Sequence, residues 1–145
     1  MKLFLIDDNE LVRSSLSGLL RDLYPQIHLS CFASCEAALA SLEEQVHFVL
    51  LDFHLHARSA GDHLINVPNS FQPTAPHISQ KLEAWACLTA IQKRFSKARI
   101  ILISAEPTRD MFTKARALGA HAFIEKSVRP AVMLKEIREA LDARH

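Results

Sequence analysis

The stretch Val46–Asp52, which reads VHFVLLD, is a short apolar run that ends in an acid. Four similar runs lie elsewhere in the chain, of which the second is the weakest: Lys2–Asp7, Ile27–Phe32, Arg99–Ser104 and His121–Glu125. Runs this short and rich in Ile, Leu, Val and Phe are typical of strands buried on both faces of a parallel sheet, although periodicity alone does not separate them from buried helix.

Amphipathic stretches separate the five runs. Their apolar positions are Leu11, Leu16, Leu19, Leu20 and Leu23; Ala37, Ala38 and Leu42; Leu82, Trp85, Leu88, Ile91 and Phe95; Met111, Ala115 and Leu118; and Met133, Leu134, Ile137 and Leu141. Ser34 and Thr108 are suited to begin helices. Gly119 is suited to end one, and Pro130 to the first turn of the last. Five strands alternating with five helices predict a doubly wound α/β fold, a (βα)5 sandwich around a central five-stranded parallel sheet.

The length of 145 residues is that of one domain, so we expect residues 1–145 to form a single domain. The 49% share of hydrophobic residues and 23% share of charged residues exclude wholesale disorder. A net charge of +1 gives no overall attraction to nucleic acid or to a membrane surface. No apolar run approaches the roughly 20 residues that a membrane span requires. We therefore expect a cytoplasmic protein that binds neither nucleic acid directly nor a membrane.

The three cysteines, Cys31, Cys35 and Cys87, are an odd number in a chain of moderate size. This count favours reduced thiols over a disulfide framework, in keeping with the cytoplasm. We expect all three to be buried side chains that behave as small hydrophobes.

One stretch, residues 57–80, interrupts the alternation of strands and helices. It contains three prolines and has no convincing strand or helix. Connections this long are unusual inside a compact domain and are generally functional or mobile. Its hydrophobic residues include Ile65, Val67, Phe71 and Ile78. We expect part of this insertion to pack beside the functional edge of the sheet or to present a surface to a partner.

Chemically active side chains stand at the carboxyl ends of four predicted strands, where an open α/β sheet has its functional crevice. They are Asp7 and Asp8, Asp52, Ser104, and Glu125 with Lys126. Carboxylates crowded together repel one another unless a hard cation sits among them, and Mg²⁺ prefers such oxygen ligands. Lysine and serine supply donors to phosphoryl oxygens, and aspartyl phosphate is an established covalent intermediate. The pattern indicates Mg²⁺-assisted phosphoryl chemistry.

Four motifs give the sequence a family resemblance: LFLIDDNE at 3–10, VLLDFHL at 49–55, ILISA at 101–105 and FIEKS at 123–127. In this order and spacing they resemble the receiver domain of bacterial two-component response regulators, a CheY-like domain with a flavodoxin-like fold. The resemblance covers the chain apart from the insertion.

The resemblance implies a role for each acid and for the lysine. It makes Asp52 the phospho-acceptor, and Asp7 and Asp8 the acidic pair that holds Mg²⁺. Asp52 and the backbone carbonyl of His54 complete the implied metal site. Lys126 corresponds to the lysine that acts on the phosphoryl group.

The resemblance also implies a switch, in which Ser104 is the hydroxyl and Phe123 the aromatic. The sequence departs from the usual receiver pattern at two places. His56 stands where a proline commonly follows the acceptor, and Ser127 stands where a cis-proline often follows the lysine. The Lys-Ser pair resembles a variant seen in receivers attached to helix-turn-helix effectors.

The function implied by the resemblance is that of a phosphoprotein in a two-component phosphorelay. Asp52 would take a phosphoryl group from a histidine kinase or phosphotransfer protein, with no turnover of a small-molecule substrate. The face formed by the fourth helix, fifth strand and fifth helix would then change, and it is the expected homodimer surface. Either a stand-alone receiver or one joined to an effector domain fits the sequence.

The main alternative is a receiver-fold binding module that acts through its insertion without regulated phosphorylation. A phosphatase of the haloacid-dehalogenase kind is disfavoured, because His54 stands where its DxD motif has a second acid. An FMN carrier is disfavoured because residues 7–10, DDNE, contain three acids that would repel phosphate and no Gly or Thr cluster to hold it.

Overall fold

A computed structural model of the chain describes residues 1–53, 83–105, 107–127 and 129–143. The strands are β1 Lys2–Ile6, β2 His28–Phe32, β3 Phe48–Asp52, β4 Arg99–Ser104 and β5 Ala122–Glu125. The helices in the described ranges are α1 Glu10–Leu23, α2 Cys35–Leu39, α3 Ala84–Arg94, α4 Arg109–Ala117 and α5 Pro130–Asp142. All five predicted strands are confirmed to within two residues.

The five strands form one parallel sheet in the order β2-β1-β3-β4-β5. The chain moves outward from β1 to β2 and then returns past β1 to β3, so the order reverses between β1 and β3. Ligands bind at such reversals, outside the carboxyl ends of the strands. Ile6 pairs with Leu51, and the next residue on each strand is an acid, Asp7 or Asp52.

The core consists of two apolar layers, one on each face of the sheet. Alternate strand residues point to opposite faces. Phe4, Val49 and Ile100 belong to the layer covered by α2, α3 and α4. Leu5, Leu50 and Ile101 belong to the layer covered by α1 and α5. The sheet is therefore covered on both faces, as a doubly wound fold requires.

Most of the predicted helix ends are confirmed. The Ser34 and Thr108 side chains accept hydrogen bonds from the backbone N–H groups of Ala37 and Met111. Pro130 lies in the first turn of α5. Gly119 has a φ of +107°, and a Cβ there would stand 2.7 Å from the Gln92 side chain. The positive φ therefore favours glycine at this position, whereas the flexible Gln92 side chain can move away from an added Cβ.

Three apolar positions were wrongly assigned to buried helix faces, and one of them is Ala37, which is exposed on α2. Leu11 is 79% exposed; it precedes the buried Leu16 by five residues, which places it roughly 140° around the helix at about 100° per residue. Leu42 is 91% exposed because α2 ends at Leu39. Leu82 lies outside the described residues, as do His54 and the insertion 57–80.

The prediction that all three cysteines are buried and reduced is wrong. Cys35 and Cys87 form a disulfide, and Cys31 is exposed on β2. The packing of α2 against α3 brings the Cα atoms of Cys35 and Cys87 to 6.0 Å, a usual separation for a disulfide. These residues are 52 positions apart, so only the tertiary fold makes them neighbours.

No helix in the described part of the chain is long and apolar enough to cross a membrane.

Candidate functional site

Asp7 lies directly after β1 and is held by three groups. Its backbone N–H donates to the carbonyl of Phe32 over 3.0 Å, and its carbonyl accepts from the guanidinium of Arg13 over 2.7 Å. Its Oδ1 accepts from the backbone N–H of Asn9 over 2.8 Å. Asn9 is also the N-cap of α1 and accepts from Val12. The turn that starts α1 therefore fixes the Asp7 side chain, which is only 3% exposed.

Asp52 is the last residue of β3, and its side chain is also 3% exposed. The strand pairing continues one residue further, because Phe53 donates to the carbonyl of Ile103 over 2.7 Å. Asp52 therefore projects from ordered backbone at the carboxyl edge of the sheet.

Three carboxylates meet at this edge. Oxygen atoms of Asp7, Asp8 and Asp52 all lie within 4.8 Å of one another. Asp8 is exposed, so the cluster opens to solvent on its side. An oxygen-rich, partly open set of three carboxylates suits Mg²⁺, which retains several of its waters when it binds.

Lys126 brings a positive charge to two of these acids. It follows β5, and its backbone N–H donates to the carbonyl of Ser104 over 2.6 Å. Its Nζ lies 3.1 Å from Oδ1 of Asp52 and 3.4 Å from Oδ2 of Asp7. The side chain is 18% exposed, so the ammonium group faces both the carboxylates and the opening.

The electrostatics of the cluster change the pKa values of two groups. Burial, followed by the charge of Asp52, raises the pKa of Asp7 to about 6, against the opposing effects of the Asn9 N–H and Lys126. Burial acts to lower the pKa of Lys126, but the charges of Asp52 and Asp7 outweigh it, and the pKa is raised. The site therefore holds a firmly protonated lysine beside an acid that resists ionisation.

The two expected switch residues occupy neighbouring strands. Ser104 is the last residue of β4, is 3% exposed and pairs with Glu125 of β5. Phe123 lies on β5 and is half-buried, with its ring stacked on Phe112 at 5.8 Å between centroids. Ser104 thus lies two strands from Asp7 and adjacent to the strand that carries Asp52.

Sequence reasoning missed two groups of contacts around the site. The Arg13 contact was hidden, because a basic residue on a helix usually indicates a solvated face. The aromatic rings around Phe53 were missed as well, and Phe53 contacts Trp85 edge-on at 4.5 Å. The signal for this contact was Phe53, directly after the acidic strand end, which entered the sequence-based predictions only as a letter of the motif VLLDFHL.

No family model matches the sequence, and no curated protein matches it. Solved structures do match over nearly the whole chain. The BeF₃-activated receiver domain of DrrB, a Thermotoga maritima response regulator, has a TM-score of 0.67 and 18% identity and covers 98% of this chain and 97% of that one. A CheY-like receiver domain protein of Methanospirillum hungatei has a TM-score of 0.66 and 20% identity, covering 97% and 93%.

A third matching structure contains a phosphorylated aspartic acid of its own. This response regulator from Burkholderia pseudomallei is described with a phosphorylated aspartic acid, calcium ion and citrate. Its TM-score is 0.65 and its identity 17%, with 99% of this chain and 75% of that one covered. The chain therefore has the fold of CheY-like receiver domains, and the flavodoxin-like prediction is confirmed.

Proposed function

We propose that the chain is a phospho-accepting receiver that carries its phosphoryl group on Asp52. The observation behind this proposal is the meeting of three carboxylates within 4.8 Å, with the Lys126 Nζ 3.1 Å from Asp52. Carboxylates this close disfavour one another's ionised form, so the arrangement costs stability. The cost in stability is explained if the site binds a metal cation together with a phosphoryl group.

Asp7, Asp8 and Asp52 would hold Mg²⁺, and by resemblance the backbone carbonyl of His54 would join them. The raised pKa of Asp7 supports this assignment, because a divalent ion favours the ionised form that burial and Asp52 oppose. When bound, Mg²⁺ supplies positive charge to the phosphoryl oxygens.

Asp52 would act as the nucleophile. One of its oxygens forms a bond to phosphorus while the P–N bond of a donor phosphohistidine breaks, and the donor imidazole leaves with that electron pair. The ammonium of Lys126 is placed to pair with the phosphoryl oxygens. Water later hydrolyses the acyl phosphate to phosphate and the original carboxylate. The chain thus modifies itself and turns over no small-molecule substrate.

The partners would be a histidine kinase or phosphotransfer protein, followed by an effector domain or protein. The proposed output face consists of α4, β5 and α5. It exposes 43% of Phe112 and 45% of Val132, which suits a second copy of the chain or another protein. A two-component phosphorelay in the cytoplasm belongs to the same proposal.

Phosphorylation by a small acyl phosphate with Mg²⁺, followed by intact mass, tests the proposal. We expect one phosphoryl adduct on the wild type, none on Asp52→Asn, and a normal adduct on Asp22→Asn, which removes an exposed acid of α1. Circular dichroism checks that each variant is folded. An undiminished adduct on Asp52→Asn would refute Asp52 as the acceptor, and no adduct on the wild type would favour the binding-module alternative.

A further inference from the structure

A cluster of aromatic rings surrounds the residue that follows Asp52. Phe53 is 2% exposed, and its ring contacts Trp85 edge-on with 4.5 Å between centroids. It also lies 6.3 Å from the ring of Phe123. The neighbour of the proposed acceptor therefore contacts both the first turn of α3 and strand β5.

Trp85 extends this cluster to α4. The Nζ of Lys114 lies 4.6 Å from the centroid of the Trp85 ring, a cation–π geometry. Trp85 thus contacts Phe53 of the acceptor strand and Lys114 of α4 at the same time. It is the only tryptophan in the sequence, so its fluorescence reports this one position.

A second branch of the cluster also ends on α4. Phe123 stacks on Phe112 with 5.8 Å between centroids and 22° between planes. The Arg116 guanidinium lies 5.8 Å from the centroid of the Phe112 ring. Both branches begin at Phe53, so a shift of that ring acts on α4 through two contacts.

The few buried groups on α4 make these side-chain contacts important. This helix spans nine residues and buries only Ala115. An element with few buried apolar contacts moves at low cost in free energy, so contacts at its surface contribute strongly to its position.

We propose that Trp85 is a positioning residue of the switch, and this proposal rests on the function proposed above. Its contact with Lys114 holds α4 in the described arrangement, and its contact with Phe53 makes that arrangement sensitive to a group bound at Asp52. An exposed cation–π contact shifts a two-state equilibrium by a factor of about 2 to 5. Loss of the contact therefore favours the switched state by that factor, and a ligand specific to that state binds more tightly in proportion.

Beryllofluoride with Mg²⁺, a mimic of the phosphoryl group, provides the test. We expect its addition to change the Trp85 emission of the wild type and not that of Asp52→Asn. In Lys114→Met the half-saturating concentration should fall by a factor of about 2 to 5. Lys93→Met is the matched control, because it removes an exposed lysine charge at the end of α3 that is farther from Trp85. This variant should titrate like the wild type.

A second variant tests the inner contact. Phe53→Leu should still acquire the phosphoryl adduct by mass, while its Trp85 emission no longer responds. If the wild type forms the adduct but Trp85 does not respond, or if Lys114→Met titrates like Lys93→Met, the proposal about Trp85 is wrong and the proposed function stands. If the wild type forms no adduct, both are wrong.

Discussion

Asp7 occupies a position where burial and the neighbouring charge of Asp52 both oppose ionisation of its carboxyl group. Its pKa in the folded chain is about 6, against an ordinary value of 3.8. Between these two values the folded chain binds more protons than the unfolded chain. The free energy of unfolding therefore decreases as the pH rises through this window.

This residue gives a pH-dependent prediction. Without Mg²⁺, the wild type should lose about 2 kcal/mol of stability between pH 4 and pH 6 relative to Asp7→Asn, because asparagine at position 7 does not titrate. Urea unfolding at several pH values measures this difference. Millimolar Mg²⁺ should restore the wild type, because it binds the ionised cluster. Parallel pH profiles for the two proteins would contradict the prediction.

At the scale of the elements, the Cys35–Cys87 disulfide joins α2 to α3 across the apolar layer that covers one face of the sheet. A cross-link between residues 52 positions apart restricts the unfolded chain more than the folded one. Cys87 lies in the first turn of α3, so the disulfide also ties the start of this helix to α2.

Reduction of this disulfide should lower the free energy of unfolding by about 2–4 kcal/mol. Urea unfolding with and without a dithiol reductant measures the effect without changing a side chain. Cys31→Ala is the control and should show the same difference. Thiol alkylation of the denatured protein should find one free thiol before reduction and three after it. Three free thiols before reduction would show that the bond is absent and would contradict the prediction.

The accuracy of the sequence-based predictions differs among the elements for physical reasons. β1, β3 and β4 are buried on both faces, so their residues form continuous apolar runs with an acid or hydroxyl at the carboxyl end. α2 ends at Leu39, and nothing in the sequence before Leu42 marks that end. The Cys35–Cys87 contact depends on the packing of two helices. The strand-end acids and Lys126 were predictable together because parallel strands align their carboxyl ends.

At the scale of the whole molecule, the site and the proposed output face are connected through β4 and β5. Ser104 and Lys126 lie at one edge of these strands, and Phe123 lies between that edge and α4. A phosphoryl group adds about −1.5 to −2 charge and three acceptor oxygens. A hydroxyl drawn toward those oxygens would vacate space beside Phe123.

Ser104→Ala should therefore separate phosphorylation from its consequence. We expect the variant to accept a phosphoryl group on Asp52 by intact mass, yet to gain little self-association in sedimentation experiments. Ser14→Ala, an exposed position on α1, should behave like the wild type in both measurements. Equal association of phosphorylated Ser104→Ala and wild type would exclude this route and direct attention to the Trp85 contacts.

The two ends of the site are far apart in the order of synthesis. Lys126 and Asp7 contact each other although 119 positions separate them. A chain emerging from a ribosome thus has its acids long before it has β5 and the lysine that follows this strand. A copy of the chain that stops before residue 126 would therefore carry the acids of the site without the positive charge that Lys126 brings to Asp7 and Asp52.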